Sequence, residues 1–285
     1  MTRIARMGRF TFAKQRDPES IRGFTLLELL IVVGIIALLL VLIAPAFTSI
    51  KSGSDFSSAV NGIRDVLENA RTYAKANHTY VFVGLAEVDA SVDSSATPQL
   101  AGFGRVAIAV VASKDGTRHF NYTTGIFPQG PDWTANYLNG ANLTAVGKLQ
   151  RFENLHFMPL DFGPWAPTGA NAHPNSKMAR YQPTVNEPYV LGRSGSISVT
   201  PFSWPLGSAL NSGQYQFNRV IYFDPTGIAR IATSSNSDAI ADVIEIAFQP
   251  SHGTAIPPLP TNQDAGNHAV VQLGTTDGAV RVYRP

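Results

Sequence analysis

Glu28 is the residue that most needs a chemical explanation. It lies five residues into an apolar run that starts at Phe24, and the 22 residues from 29 to 50 carry no charge. An ionised carboxylate inside a membrane span costs about 2.5–3.5 kcal/mol, so a partner or a function is the default expectation. The alternative is a carboxylate that snorkels to the water surface. Other chemistry is sparse. The chain has no cysteine, which removes disulfides, thiolate metal sites and a cysteine nucleophile together. His78, His119, His156, His173, His252 and His268 show no pair at metal-ligand spacing and read as ordinary surface residues. Glu87, Asp89 and Asp93, and separately Asp238, Asp242 and Glu245, offer the oxygen ligands calcium takes, but their spacing is not diagnostic and solvated acids are the plainer reading. Gly102-Phe103-Gly104-Arg105-Val106-Ala107 imitates a dinucleotide fingerprint, yet a strand follows where that motif needs a helix. Gly192-Arg193-Ser194-Gly195 lacks the spacing of a nucleophile elbow. No acid, base and nucleophile converge, so neither an enzyme nor a bound cofactor or metal is expected.

The elements that carry these residues follow from composition and periodicity. The chain has 285 residues, 44% of them apolar and only 15% charged, which suits a turn-rich β protein with one sizeable core. Residues 1–23 hold six basic and two acidic groups, leaving 16 basic and 18 acidic in the rest. A slightly acidic body without a basic stripe argues against nucleic acid as a partner. The run 24–46 is long enough for a transmembrane helix, which needs roughly 20 apolar residues. The basic leader places its amino terminus in the cytoplasm and the bulk of the chain outside. From Phe56 to Ala74 apolar residues recur at steps of three and four, with Lys51, Asp55, Arg64, Asp65, Glu68, Arg71 and Lys75 on much of the other face. That pattern predicts an amphipathic helix over 47–78 with one stripe seeking a sheet. Strands are predicted over 79–85, 104–112, 117–123, 217–224, 228–233, 242–249, 269–273 and 279–283, with weaker candidates at 148–158 and 196–200. The expected fold class is therefore α+β, a long helix packed on an antiparallel β-sheet head.

Arg22-Gly23-Phe24-Thr25-Leu26-Leu27-Glu28, joined directly to the apolar run, resembles the cleavage and methylation segment of the type IV prepilin and type II secretion pseudopilin class of bacteria. The resemblance implies a pilin-like fold, removal of the leader 1–23 after Gly23 by a prepilin peptidase/methyltransferase, and N-methylation of Phe24. It also implies an assembly role for Glu28, pairing with the amino terminus of a neighbouring pilin or pseudopilin subunit. A glycine before the scissile bond lets the backbone extend into a protease cleft, and a cation and a carboxylate that are each costly in an apolar bundle relieve one another when paired. Pro45 removes one helical hydrogen bond and predicts a kink; its distance from Phe24 resembles that of a proline many pilins carry. Asn69-Ala70-Arg71 with Tyr73-Ala74, the turn Phe223-Asp224-Pro225-Thr226-Gly227 and the closing Gly278-Ala279-Val280-Arg281-Val282-Tyr283 resemble the GspH/FimT-type minor pseudopilins. The implied protein is a structural subunit of a type II secretion or type IV pilus-like filament, single-pass in the inner membrane before assembly, with its head outside the cytoplasm. A major pilin-like fibre subunit and a tethered or exported adhesin-like binding module are the alternatives. A rival processing site, Ala44-Pro45-Ala46, has the small-x-small form of a signal-peptidase site and would start the mature chain at Phe47, but the apolar run exceeds the usual 7–15 residues of such a signal.

Within the head at 79–285, the stretch 124–216 is dense in Pro, Gly and Asn and holds all three tryptophans, Trp133, Trp165 and Trp204. Loops of this length are functional or loosely structured. The rings read either as an exposed recognition surface or as plugs in an irregular lobe.

Overall fold

A computed structural model describes residues 24–118, 138, 140–158, 189–191, 202–209, 212–231, 243–256 and 267–284; for 42–52 and 189–191 it describes the backbone alone. The chain divides into two compact units, 1–49 and 50–285. Helix α1 (Leu26–Asn77) supplies the described residues of the first unit and opens the second. Among the described residues the remaining helix is one 3-10 turn at Gly140–Asn142, and everything else regular is strand.

β1 (Val81–Asp89) and β2 (Gly104–Ser113) form the longest antiparallel pair, in register from Val81 opposite Ala112 to Asp89 opposite Gly104. β3 (Leu143–Ala145) and β4 (Gln150–Glu153) both pair with β2. β9 (Arg219–Phe223) pairs with the other edge of β1, and β10 (Ala229–Ile231) follows it across the 224–228 turn. The second sheet is built on β11 (Val243–Pro250), with β12 (Ala269–Gly274) and β5 (Leu155–Phe157) antiparallel to it, β6 (Tyr189–Leu191) parallel to it, and β13 (Val280–Tyr283) closing beyond β12. β7 (Phe202–Trp204) and β8 (Tyr215–Phe217) make a separate ribbon.

β1 and β2 read as near-continuous apolar runs because both faces of their sheet are covered, which removes the alternation a half-exposed strand shows. On one face Val81, Val83, Leu85, Val106 and Ile108 share one buried core with Ile244, Ile246 and Phe248 of the second sheet and with Phe56, Val60, Ile63, Leu67, Ala70 and Ala74 of α1. On the other face Phe82, Ala109, Val111 and Tyr222 lie under Phe202, Tyr215 and Phe217 of the ribbon. Gly84 is where the ribbon comes closest. A Cβ there would stand 2.6 Å from both the Phe202 ring and the Phe217 side chain.

Several expectations are corrected. Among the described residues no helix is long and apolar enough to cross a membrane. This overturns the transmembrane helix over 24–46 and the single-pass inner-membrane placement built on it. The pilin-like fold class, one helix on one antiparallel head sheet, is overturned as well, because the body is a β-rich assembly of two sheets and a ribbon that includes a parallel pair. Asn154 marks one point where the chain leaves the first sheet for the second. Its left-handed φ of 57° breaks the predicted 148–158 strand into β4 on the first sheet and β5 on the second. Most of the strand expected at 117–123, and all of that at 196–200, lies outside the described residues, as does most of the lobe at 124–216, with Trp133 and Trp165. Trp204 is described; it is half-buried and packs against the second core cluster.

Candidate functional site

Gly23 lies outside the described residues. Phe24 is 82% exposed, and every large apolar side chain from Leu26 to Val41 is at least 48% exposed. Glu28 turns its carboxylate back along the chain. Its Oε2 accepts hydrogen bonds of 2.9 Å from both the backbone N–H and the hydroxyl of Thr25, while its own N–H donates to Thr25 Oγ1 at 3.2 Å. This is a reciprocal capping box: Thr25 is the N-cap, Glu28 occupies the third helical position, and two orphan donors of the helix start are satisfied at once. The Thr25 backbone N–H, and then its hydroxyl, hold the Glu28 carboxyl below its ordinary value of 4.5. The carboxylate also sits at the positive end of the helix dipole. In the single chain Glu28 is thus exposed and locally bonded. The Thr-x-x-Glu spacing ahead of an apolar run is the sequence signal that would have revealed this cap. The backbone of α1 continues through Pro45.

The two short head segments singled out in the sequence, 223–227 and 278–283, meet the 69–74 segment near the carboxyl end of α1. Arg71 Nη2 donates to the carbonyl of Asp277 at 2.7 Å, and Glu68 accepts the Val280 N–H at 3.2 Å while pairing with Arg71 at 3.4 Å. The 224–227 turn is organised by Asp224, whose Oδ1 accepts the backbone N–H groups of Thr226 and Ile228. Asp277 organises the β12–β13 turn in the same way, and the Ala279 N–H, followed by Arg281, holds its carboxyl below the usual value. Gly278 has φ +65°, and a Cβ on it would lie 1.9 Å from the Gly227 carbonyl oxygen, so both turns depend on glycine here. Arg284 ties the last strand to α1 again, donating to Ser57 Oγ at 2.7 Å above the Phe56 ring. Beside the two turns a shallow recess of about 310 Å³ is lined by Arg71, Thr72, Lys75 and Ala76.

A third constellation was not foreseen. The side chains of Glu87 and His156, read in the sequence as a candidate calcium acid and a surface histidine, are nearly covered and joined, Nδ1 to Oε1, at 2.7 Å. Glu87 also accepts the N–H of Gly104 at 3.1 Å, and the Phe103 ring stands edge-on to His156. Arg219 lies over the Phe157 ring, its pKa lowered by burial and opposed by the charge of Glu87. The group lies at the corner where the chain passes between the sheets, and a separation of 69 positions along the chain hides it from any local pattern. Asp89 and Asp93 instead cap their own turns through Ser91 and Ser95. Among the described residues no three His, Asp or Glu side chains are placed to hold a metal ion.

No family model matches this chain, and no solved structure resembles it at a significant level.

Proposed function

We propose that this chain is a structural filament subunit, of the pseudopilin or minor-pilin kind, cut after Gly23 and N-methylated on Phe24, then assembled through the amino-terminal half of α1. The observation that carries the reading is the uncovered apolar helix from Leu26 to Val41. A helix apolar on every side is stable when its whole circumference is covered, and exposed apolar surface of this extent marks an interaction site. Helices of neighbouring subunits supply that cover. The capping box prepares the start of the helix for the same role. Cleavage after Gly23 leaves a cationic amine one residue before Thr25, beside a carboxylate already held ionised by hydrogen bonds.

The test is the intact mass of the mature chain together with a Glu28→Ala variant. A chain that begins at Phe24 and carries one methyl group is expected, with the variant stable but excluded from filaments. A chain starting at Phe47, or one that keeps residues 1–23, would overturn the reading.

A further inference from the structure

Three triplets of the form Asn-x-Thr occur in the chain, Asn77-His78-Thr79, Asn121-Tyr122-Thr123 and Asn142-Leu143-Thr144. This is the pattern in which an asparagine amide accepts an N-linked sugar, and the fold treats the triplets differently. At the first, Asn77 Nδ2 donates to the Tyr73 carbonyl at 3.0 Å, and the buried Thr79 hydroxyl donates to the Ser113 carbonyl at 2.9 Å. Both groups are engaged. The second lies outside the described residues. At the third, where the 3-10 turn runs into β3, Leu143 turns inward and is 2% exposed. Asn142 and Thr144 on either side of it are exposed, as strand alternation dictates. Neither side chain makes a hydrogen bond among the described residues. The backbone beneath them is held, with the Lys114 N–H donating to the Asn142 carbonyl at 3.0 Å and Lys114 Nζ to that of Ala141 at 2.8 Å.

We propose that Asn142 is an N-glycosylation site and that its sugar shields the outer edge of the first sheet. The inference goes beyond the assembly reading and stands without it. β3 ends the row β10-β9-β1-β2-β3, and no strand pairs with its outer side among the described residues. Thr144 and Ala145 on that strand are exposed. An unpaired edge is a template for pairing with other chains. β13, at the end of the second sheet, is treated differently, since Glu68 of α1 accepts its Val280 N–H. A hydrated glycan at the start of β3 keeps foreign strands off the edge that α1 does not reach. The donor is a sugar linked through its anomeric carbon to a phosphate, and a transferase brings the two together. Asn142 Nδ2 bonds to the anomeric carbon as the carbon–oxygen bond to phosphate breaks. The phosphate leaves with the electron pair, the amide proton passes to a base of the transferase, and no oxidation state changes. Resonance draws the amide lone pair into its carbonyl and makes the nitrogen a weak nucleophile. The transferase must therefore grip the triplet closely, and the unbonded Thr144 hydroxyl is the handle that Thr79 lacks.

The test is mass spectrometry of the full chain purified from the organism that encodes it, with proteolytic mapping to place any added mass. The peptide that holds Asn142 is expected to be heavier than its sequence by one or more sugar residues. Asn142→Gln and Thr144→Ala should lose the whole increment, Thr144→Ser should keep it, and Asn77→Gln should leave it unchanged. An Asn142 peptide of unmodified mass, or an increment that survives Asn142→Gln or Thr144→Ala, would overturn the site. The shielding role has its own readout, because the chain has no cysteine and an introduced thiol is unique. Ala145→Cys should form chain-to-chain disulfides when combined with Asn142→Gln and lose them when the sugar is present. Equal cross-linking with and without the sugar would overturn the shielding and leave the site standing.

Discussion

The two halves of α1 solve the same problem in opposite ways. From Phe56 to Ala74 the apolar residues occupy one stripe and disappear into the core they share with both sheets. From Leu26 to Val41 they occupy every side and stay exposed. A helix with one apolar stripe is completed by its own domain, whereas one apolar all round is completed by something else. The contrast separates the part of the molecule that folds from the part that associates. Substitutions in the two halves should therefore fail in different assays.

The largest effect belongs to the folded half. Leu67 is fully buried, and Leu67→Ala should cost about 2–5 kcal/mol, read as a fall in the denaturation midpoint of the body. Leu30→Ala, in the exposed half, should leave that midpoint unchanged and reduce assembly. Equal losses of stability from both would erase the distinction. Next comes Gly84→Val, which forces a side chain into the Phe202 and Phe217 rings; overpacking of this kind costs about 1–3 kcal/mol and should loosen the ribbon first, detectable as faster amide exchange at Phe202 and Phe217. Removing one partner of the corner, as in His156→Leu, leaves the buried Glu87 carboxylate short of a donor and should cost about 1–3 kcal/mol, read in the same denaturation curves.

How much of this could be read from the sequence depended on the range of the interaction. The core stripe of α1 is legible because its residues repeat locally at helical spacing. The long runs of β1 and β2 are legible as strands for the same reason. The switch from the first sheet to the second at 153–155 is not, since it falls at one residue, Asn154, that adopts a left-handed conformation within a stretch that reads as one strand. The Glu87–His156 contact is set by topology and has no local signature. The cap at Thr25 and Glu28 was fully present in the sequence, but the charge of Glu28 drew attention to a distant partner when a near one sits three residues away.

The smallest effect concerns that cap. Hydrogen bonding lowers the Glu28 pKa in the folded helix, so its contribution is complete above the ordinary carboxylate value of 4.5 and is lost as pH falls through the lowered one. Amide exchange at Thr25 and Glu28, taken relative to the intrinsic rate at each pH, should accelerate on acidification in that window. In Thr25→Ala it should be fast at every pH; protection that is pH-independent and survives Thr25→Ala would dismiss the cap.

The claim that the exposed half of α1 is an assembly surface is tested most directly by oxidative cross-linking of a single Val32→Cys chain in assembled material. The account predicts chain-to-chain disulfides at this position, with the same thiol shielded from a water-soluble alkylating reagent. A Val32 thiol that alkylates freely and never links two chains would contradict it.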